Sequence, residues 1–349
     1  MIGLPEATAG VVLLVLNAYA LTGGADFGGG VWDLLAAGPN RNRQRELIGA
    51  AIGPVWEANH VWLVIAVVMC FTGFPPVFAT LGTVLHVPLA LVLVGIVCRG
   101  AAFVIRSSGT QSTSARTAWS RTFAVASTLT PLLLGAVVGA VSTGAVGAAR
   151  EKVGRAGFAE VYLHPWLASF PMAVGLLTVA LFAMLAAIYL TLAAPEPALR
   201  EDFRRRALGA ALGAVVAGAG SMALAHGTAA PLREALWFIP AASAAAAALT
   251  IGSLVTRRYA LARGAGASLV SLVLWGWAAS LYPYLVPDTM TIRAGAAPDG
   301  TLVALLWIVA AGAVILIPSL VYLLRLFGQR LPPTPVEPRA TTGPAEEPH

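Results

Sequence analysis

The chain has 349 residues, of which 58% are hydrophobic and only 11% are charged, and its mean hydropathy is +0.79. So few charged residues cannot cover the surface of a soluble protein of this length, which excludes a soluble globule and indicates an integral membrane protein. The formal net charge of +6 does not indicate nucleic-acid binding, because the basic residues form short clusters between apolar segments and not one patch.

Nine apolar segments are long enough to cross a bilayer as helices, which takes about 20 residues each. In chain order they are 8–37, 47–73, 77–105, 119–146, 163–193, 207–226, 234–256, 264–286 and 301–325. We therefore predict an all-α polytopic membrane protein with a transmembrane domain over residues 1–327. Residues 328–349 are rich in Pro, Glu and Thr, and this composition predicts a disordered tail.

The basic residues predict the orientation of the spans. With the N-terminus outside, 16 of the 22 lysines and arginines fall on the cytoplasmic side and five fall in the outer loops. This bias predicts an external N-terminus and a cytoplasmic C-terminus and tail. The remaining basic residue, Arg99, lies within the third predicted span.

Three ionisable residues are predicted to lie inside the membrane: Asp26 in the first span, Glu57 in the second and Arg99 in the third. At about 1.5 Å per helical residue, all three fall between the middle of the bilayer and its cytoplasmic side. We predict that they are neighbours, since two carboxylates around one guanidinium would form a site able to hold a proton. A structural hydrogen bond of Asp26, and a structural ion pair of Glu57 with Arg99, stay open as alternatives.

The histidines and cysteines show no metal-binding spacing, and no metal site is predicted. His60 and His86 are interpreted as neutral hydrogen-bonding residues, and the two cysteines lie in apolar segments without a disulfide pattern. Tryptophans near the predicted span ends, among them Trp32, are predicted to lie at the membrane interface.

Three segments together resemble subunit II of cytochrome bd-type quinol oxidases. They are Thr22-Gly-Gly-Ala-Asp-Phe-Gly-Gly-Gly30, Gly53-Pro-Val-Trp-Glu-Ala-Asn-His-Val-Trp-Leu63 and Cys98-Arg-Gly-Ala-Ala-Phe-Val-Ile-Arg-Ser107. The second segment is the most specific. The segment 282–291 resembles the penultimate loop of the family, and the order of spans agrees from residue 8 to about residue 327.

The resemblance implies a fold of two four-helix bundles plus one peripheral helix, in a bacterial inner membrane. It implies a heterodimer with a subunit I that carries haems b and d and the quinol site, in a complex that oxidises quinol and reduces O2 to water. This chain would ligate no haem and would not be catalytic alone. In some members of the family, subunit II holds a structural quinone or the complex contains an additional small single-span subunit.

The resemblance also implies roles for particular residues. Glu57, with Asn59 and His60, matches the segment associated with proton delivery from the cytoplasm. Asp26, Arg99 and Trp56 match positions associated with assembly or support of the haem site, not with ligation of haem.

Two departures from the family pattern weaken the prediction of a complete proton path. Gly23 and Val104 stand where the family has carboxylates. Two other functions stay open: a proton-coupled secondary transporter, which broken helices at 28–30 and at Pro54 would suit, and a purely structural membrane partner.

Overall fold

The computed structural model describes residues 3–52, 56–107, 112–225 and 238–328, so that residues 329–349 of the predicted tail lie outside the described residues. Within these ranges the chain is almost entirely helical. The helices are α1 Leu4–Leu34, α2 Arg41–Ile52, α3 Trp56–Gly73, α4 Pro75–Val84, α5 His86–Ser107, α6 Thr113–Val141, α7 Ala145–Glu151, α8 Phe158–Tyr162, α9 His164–Leu167, α10 Ser169–Ala193, α11 Pro197–Ala225, α12 Phe238–Val255, α13 Tyr259–Leu281 and α14 Asp299–Gly328. The strands β1 Tyr284–Val286 and β2 Met290–Thr291 form one antiparallel hairpin.

The predicted all-α polytopic membrane fold is confirmed. Among the described residues, eight helices are long and apolar enough to cross a membrane, namely α1, α5, α6, α10, α11, α12, α13 and α14. Helices α3 and α4 pass the same test together, bent by 115°, and make a ninth span if the pair is counted as one. The described residues therefore contain eight or nine spans, against about nine predicted.

The second and third predicted spans are divided differently in the structure. Helix α3 ends at Gly73, and α4 starts in a new direction at Pro75-Pro76, because two prolines without backbone N–H groups cannot continue the helix. A further break at Leu85 separates α4 from α5. Pro54 lies outside the described residues, whereas α1 runs unbroken through the glycines at 28–30, so the broken helix that would suit a transporter is not found there.

The spans form two four-helix groups. Helices α1, α3, α5 and α6 pack in the first bundle, and α10 to α13 pack in the second. Helix α10 contacts both α1 and α6 and so joins the bundles. Helix α14 lies at the periphery against α1 and α3, with highly exposed apolar side chains such as Trp307 and Ile315, which suit lipid. The predicted arrangement of two bundles and one peripheral helix is confirmed.

Each end of the molecule is tied by polar contacts. At the end that we call the arginine-rich end, Arg43 of α2 pairs with Glu196 before α11 at 2.6 Å. At the other end, which we call the hairpin end, Arg293 after β2 pairs with Glu6 of α1 at 2.6 Å. Helix α1 therefore runs from the hairpin end to the arginine-rich end. The buried apolar residues form two clusters, and α1 contributes to both.

Close contact between α1 and α10 depends on glycine. A Cβ added at Gly24 would lie 2.7 Å from the Phe182 ring, and one added at Gly28 would overlap the Phe182 carbonyl group. Small residues let membrane helices approach until their backbones touch, which increases the van der Waals contact that holds such helices together. The glycine-rich segment of α1 therefore fixes the distance between the two bundles at the depth of Asp26.

Candidate functional site

A buried ion pair between Asp26 of α1 and Arg99 of α5 forms the centre of the site. The Arg99 Nη2 group donates to Asp26 Oδ1 and to the Asp26 backbone carbonyl at 3.4 Å, and Nε donates to Ser127 Oγ at 3.0 Å. The side chains of Arg99 and Asp26 are only 1% and 4% exposed. The prediction that these two residues are neighbours is confirmed.

Aromatic rings complete the surroundings of Arg99. Its guanidinium carbon lies 4.8 Å from the ring centroid of Phe27 and 5.3 Å from that of Phe123. The negative face of an aromatic ring attracts a cation, and this attraction is stronger where water is excluded. Arg99 is thus held by one carboxylate, one hydroxyl and two rings, which is the kind of compensation that a buried charge requires.

A second buried acid, Asp33, lies closer to the arginine-rich end. The Arg106 Nη1 group of α5 donates to Asp33 Oδ2 at 3.3 Å, and Arg45 Nε of α2 lies 3.8 Å from Asp33 Oδ1. Arg45 also donates from Nη2 to the Asp33 backbone carbonyl at 3.2 Å. Because Asp33 is only 1% exposed, it belongs to the interior and was missed by the sequence analysis.

The two ion pairs share one helix register. Asp26 and Asp33 are seven residues apart on α1, and Arg99 and Arg106 are seven residues apart on α5. Seven residues make almost two helical turns, so each pair of residues projects from one face of its helix. This equal spacing is the sequence signal that could have revealed Asp33.

Helix α3 supplies the remaining described residues of the site. Asn59 is 2% exposed and donates from Nδ2 to the Thr22 carbonyl at 3.3 Å, in the segment of α1 just before Asp26. Asn59 and His60 both lie close to the Asp26 carboxyl group. The structure thus brings four of the six predicted site residues together, on α1, α3 and α5.

The other two predicted residues, Trp56 and Glu57, lie in the first turn of α3. Their side chains fall outside the described residues, so a proton-relay role of Glu57 and a supporting role of Trp56 stay predictions. The backbone placement puts both residues on the turn that precedes Asn59 and His60.

Gly23 and Val104 stand at the two positions where the family pattern has carboxylates. Neither residue faces an open space in the interior of the site. A Cβ added at Gly23 would come within 3.0 Å of the Tyr19 ring, so this ring already fills the space. Val104 is 54% exposed and lines an outer groove of about 520 Å³. The groove is apolar except for His60, with α5 residues such as Ile96 and Gly100 forming its wall.

Two aromatic residues have structural surroundings of their own. Trp32 was predicted at the membrane interface, but it is only 8% exposed and donates from Nε1 to the Ala183 carbonyl of α10 at 2.8 Å. At the hairpin end, the His86 ring contacts the Tyr162 ring edge-on, with the centroids 4.8 Å apart.

Within the described part of the chain, no group of three or more His, Cys, Asp and Glu residues could hold a metal ion.

The arrangement can stabilise helix positions and can exchange protons. An arginine that pairs with a buried carboxylate fixes the two helices that carry them, since breaking such a pair leaves an uncompensated charge. Each acid accepts an arginine hydrogen bond on one oxygen, and the second oxygen of Asp26 has no hydrogen-bond partner among the described residues, whereas that of Asp33 lies 3.8 Å from Arg45 Nε. A carboxylate oxygen of this kind is able to accept a proton.

Comparison with known proteins gives concordant matches. The family model for cytochrome bd terminal oxidase subunit II matches residues 4–327. Cytochrome bd ubiquinol oxidase subunit 2 of Bacillus subtilis (strain 168) is 34% identical over 96 residues, which are 28% of either chain. Cytochrome bd-I ubiquinol oxidase subunit 2 of Escherichia coli (strain K12) is 31% identical over 129 residues, which are 37% of this chain and 33% of that protein. The matched parts thus cover a third or less of these relatives' length.

The fold is also similar to that of a solved structure. A chain of the bd oxidase from Geobacillus thermodenitrificans superposes with a TM-score of 0.76 at 25% sequence identity. The match covers 93% of this chain and 98% of that chain. Nearly the whole chain therefore shares its fold with that chain.

Proposed function

The chain belongs to the cytochrome bd terminal oxidase subunit II family, and from that membership we propose that it is the non-haem subunit of a complex that oxidises quinol and reduces O2 to water. Its partner in the proposed heterodimer is a subunit I that holds haems b and d in a bacterial inner membrane. The family match over residues 4–327 is the observation that carries this proposal.

The first proposed role of the chain is to support its partner. The pairs Asp26–Arg99 and Asp33–Arg106 connect α1 and α5 inside the first bundle. Breaking a buried pair costs about 3–5 kcal/mol, so each pair strongly favours one position of the two helices. A rigid first bundle would give the haem-bearing subunit a fixed surface, although this chain ligates no haem itself.

The second proposed role is proton delivery. The arginine-rich end faces the cytoplasm in this proposal, with the N-terminus outside. Glu57 takes up protons there and, helped by Asn59 and His60, passes them toward subunit I. Placement of Asn59 and His60 beside Asp26 supports this role, because buried carboxylates within reach of hydrogen-bonding side chains can carry protons. Protons that move inward from the cytoplasm would generate membrane potential without a pump.

Purification of the chain from its own membranes tests the proposed complex. We expect a haem-containing membrane partner to copurify in equal amount, with its visible absorption, and quinol addition to start O2 consumption. A colourless chain that purifies alone and transports a solute would overturn the proposal in favour of a secondary transporter. Mass spectrometry of the same sample tests for a structural quinone and a small single-span subunit.

A Glu57→Gln variant tests proton delivery. The substitution keeps the size of the side chain but removes the exchangeable carboxyl proton, so we expect slower O2 reduction and proton uptake with the haem content retained. Glu196→Gln, at the exposed ion pair with Arg43, is the matched control and should leave both rates unchanged. Unchanged turnover and proton uptake in the Glu57→Gln complex would exclude the relay.

A further inference from the structure

A polar cavity of about 330 Å³ opens at the arginine-rich end, and we call it the interfacial pocket. The α1–α2 loop, residues 37–40, and Gln44 of α2 form one wall, and Asp202, Arg205 and Arg206 of α11 form the other. Pockets that bind small molecules have volumes of about 300–1,000 Å³. The interfacial pocket is therefore large enough for a small ligand with more than one polar group.

The interfacial pocket lies at the depth of lipid headgroups. Helix α11 is long and apolar enough to cross a membrane, and its residues 207–225 carry no charge. Arg205 comes just before this segment, where a spanning helix leaves the hydrocarbon layer. Leu212 and Val216 follow Arg205 on the same face of α11 and are 56% and 71% exposed. A headgroup in the pocket would thus have its acyl chain along this apolar face.

Arg205 offers the pocket a positive charge that its protein partner does not neutralise. Its Nε donates to Glu201 Oε1 at 3.3 Å, but Arg204 and Arg257 share the same carboxylate, at 2.7 Å and 3.6 Å. One negative charge cannot balance three arginines. The Arg205 side chain is 75% exposed, and its Nη groups make no hydrogen bond within the described ranges. Arginine binds phosphate groups well, because two of its N–H groups can contact two phosphate oxygens.

Asp202 offers the same pocket a negative charge. Its Oδ2 atom accepts hydrogen bonds from Asn40 Nδ2 and Gln44 Nε2, both at 3.2 Å, so the two amides hold the carboxylate in place. In the part of the chain that the structure describes, Oδ1 accepts no hydrogen bond and no arginine nitrogen lies within 4.0 Å of Asp202. A carboxylate in this position repels an anion and attracts an ammonium group, whose N–H groups it can accept.

We propose that the interfacial pocket binds the headgroup of phosphatidylethanolamine, with the phosphate on Arg205 and the ammonium group on Asp202. These two residues are three apart on α11, so their Cβ atoms lie about 5–6 Å from each other, and the headgroup likewise carries its two charges a short distance apart. Arg206 adds positive charge beside the phosphate and is itself held by Gln44 Oε1, to which it donates at 2.8 Å. The inference goes beyond the proposed oxidase function and does not depend on it.

Lipid binding to the purified complex tests the site without any substitution. The complex is freed of lipid in detergent and titrated with phosphatidylethanolamine, phosphatidylcholine or phosphatidylglycerol, and native mass spectrometry counts the lipids bound. We expect the first ethanolamine lipid to bind about tenfold more tightly than either other lipid, because choline has no N–H group to donate and glycerol has no positive charge. Free phosphoethanolamine should bind far more weakly, because it lacks the acyl chains.

An Asp202→Asn variant tests the ammonium contact. The substitution keeps an oxygen for the two amides but removes the negative charge, so we expect the affinity for phosphatidylethanolamine to fall about tenfold. Phosphatidylglycerol should bind more tightly than it does to the parent, since the repulsion is lost. Glu196→Gln removes an exposed acid at the same end, outside the interfacial pocket, and is the matched control that should change neither affinity.

An Arg205→Gln variant tests the phosphate contact. It should weaken the binding of both phosphatidylethanolamine and phosphatidylglycerol about tenfold, because both lipids lose the same charged partner. Arg257→Gln is the matched control, since Arg257 also pairs with Glu201 but does not line the interfacial pocket. The haem content per chain should be the same in all of these variants, and if a variant loses haem, the titration of the parent decides alone.

Four results would overturn the inference. The first is equal affinity of the parent for phosphatidylethanolamine and phosphatidylcholine. The second is an unchanged lipid preference in Asp202→Asn. The third is weakening by Arg257→Gln as large as that by Arg205→Gln, which would indicate a general attraction of lipid to the arginine-rich end. The fourth is binding of free phosphoethanolamine as tight as that of the lipid, which would make the pocket a site for a soluble ligand.

Discussion

Arg99 and Arg106 share one aromatic ring, since their guanidinium carbons lie 5.3 Å and 3.9 Å from the ring centroid of Phe123 on α6. Each arginine also pairs with its own acid on α1, Asp26 or Asp33. Two cations two turns apart on one helix repel each other, and the negative face of the shared ring offsets part of this cost. Phe123, which is fully buried, therefore connects α6 to both ion pairs.

Replacement of Phe123 by Leu should destabilise the complex more than an ordinary change of core volume. We expect a loss of about 2–3 kcal/mol, because a hydrophobic exchange of this kind costs about 1 kcal/mol and two cation–π contacts are lost as well. Phe71→Leu, at a 61% exposed position on α3, is the matched control. The thermal midpoint of each variant is measured by monitoring the loss of haem absorption on heating. Equal midpoints for the two variants would contradict the prediction.

Loss of Arg99 should prevent assembly and not merely slow the chemistry. An Arg99→Leu variant leaves Asp26 buried and unpaired, which costs about 3–5 kcal/mol, so we expect little haem-containing complex in purified membranes. Arg99→Lys keeps the charge but cannot reproduce the planar contacts with Asp26 and Ser127, and should yield an intermediate amount. Arg205→Leu, at a 75% exposed side chain, is the control.

A double variant separates charge imbalance from lost contacts. Asp26→Leu with Arg99→Leu removes both buried charges together, so we expect it to assemble better than Arg99→Leu alone. The amount of haem recovered per chain is the measurement. A double variant that assembles worse than the single variant would show that the pair is needed for more than mutual neutralisation.

The sequence was sufficient to predict most of the spans and the Asp26–Arg99 pair, because these follow from hydropathy and from counting depth along helices. It was not sufficient for Asp33. An Asp near a predicted span end, followed by arginines, resembles a solvated loop charge, and Arg106 was used only to predict orientation. The buried position of Asp33 depends on how closely α1, α2 and α5 approach at the arginine-rich end.

Contacts between distant segments were equally beyond local sequence patterns. Trp32 has the position along its span that an interfacial indole would have, yet it donates to Ala183, which lies 151 residues away. Only the packing of α10 against α1 decides whether the indole faces lipid or a neighbouring helix. Similarly, the bend between α3 and α4 could be located from Pro75 and Pro76, but not its angle of 115°.

An exposed ion pair at the hairpin end predicts a small pH dependence of stability. Lys152 donates to Glu160 Oε1 at 2.7 Å, and this hydrogen bond lowers the pKa of Glu160 below its ordinary value of 4.5. A carboxyl group with a lower pKa in the folded state stabilises the fold above the unfolded pKa and loses this effect as the pH falls through the folded pKa.

We therefore expect a Glu160→Gln variant to unfold at a slightly lower temperature than the parent at neutral pH. Both side chains are about half exposed, so solvent screens the pair and the difference should be small. The difference should vanish as the pH falls well below 4.5, where the parent carboxyl is protonated as well. Thermal unfolding of both proteins over this pH range checks the sign, and a difference that grows on acidification would contradict it.

The contact of α1 with α10 gives a prediction about one glycine and a control on the same helix. A methyl group at Gly28 would overlap the Phe182 carbonyl, and a backbone group inside a helix cannot move aside, so we expect Gly28→Ala to destabilise the protein by about 1–3 kcal/mol or to prevent assembly. A methyl group at Gly10 meets no heavy atom within 4 Å, so Gly10→Ala should be neutral or stabilising by up to about 1 kcal/mol through helix propensity alone. Gly28→Ala should therefore have a lower thermal midpoint than Gly10→Ala. Equal midpoints would mean that the two bundles can separate enough to accept a methyl group, and that the glycines of α1 do not set the distance between them.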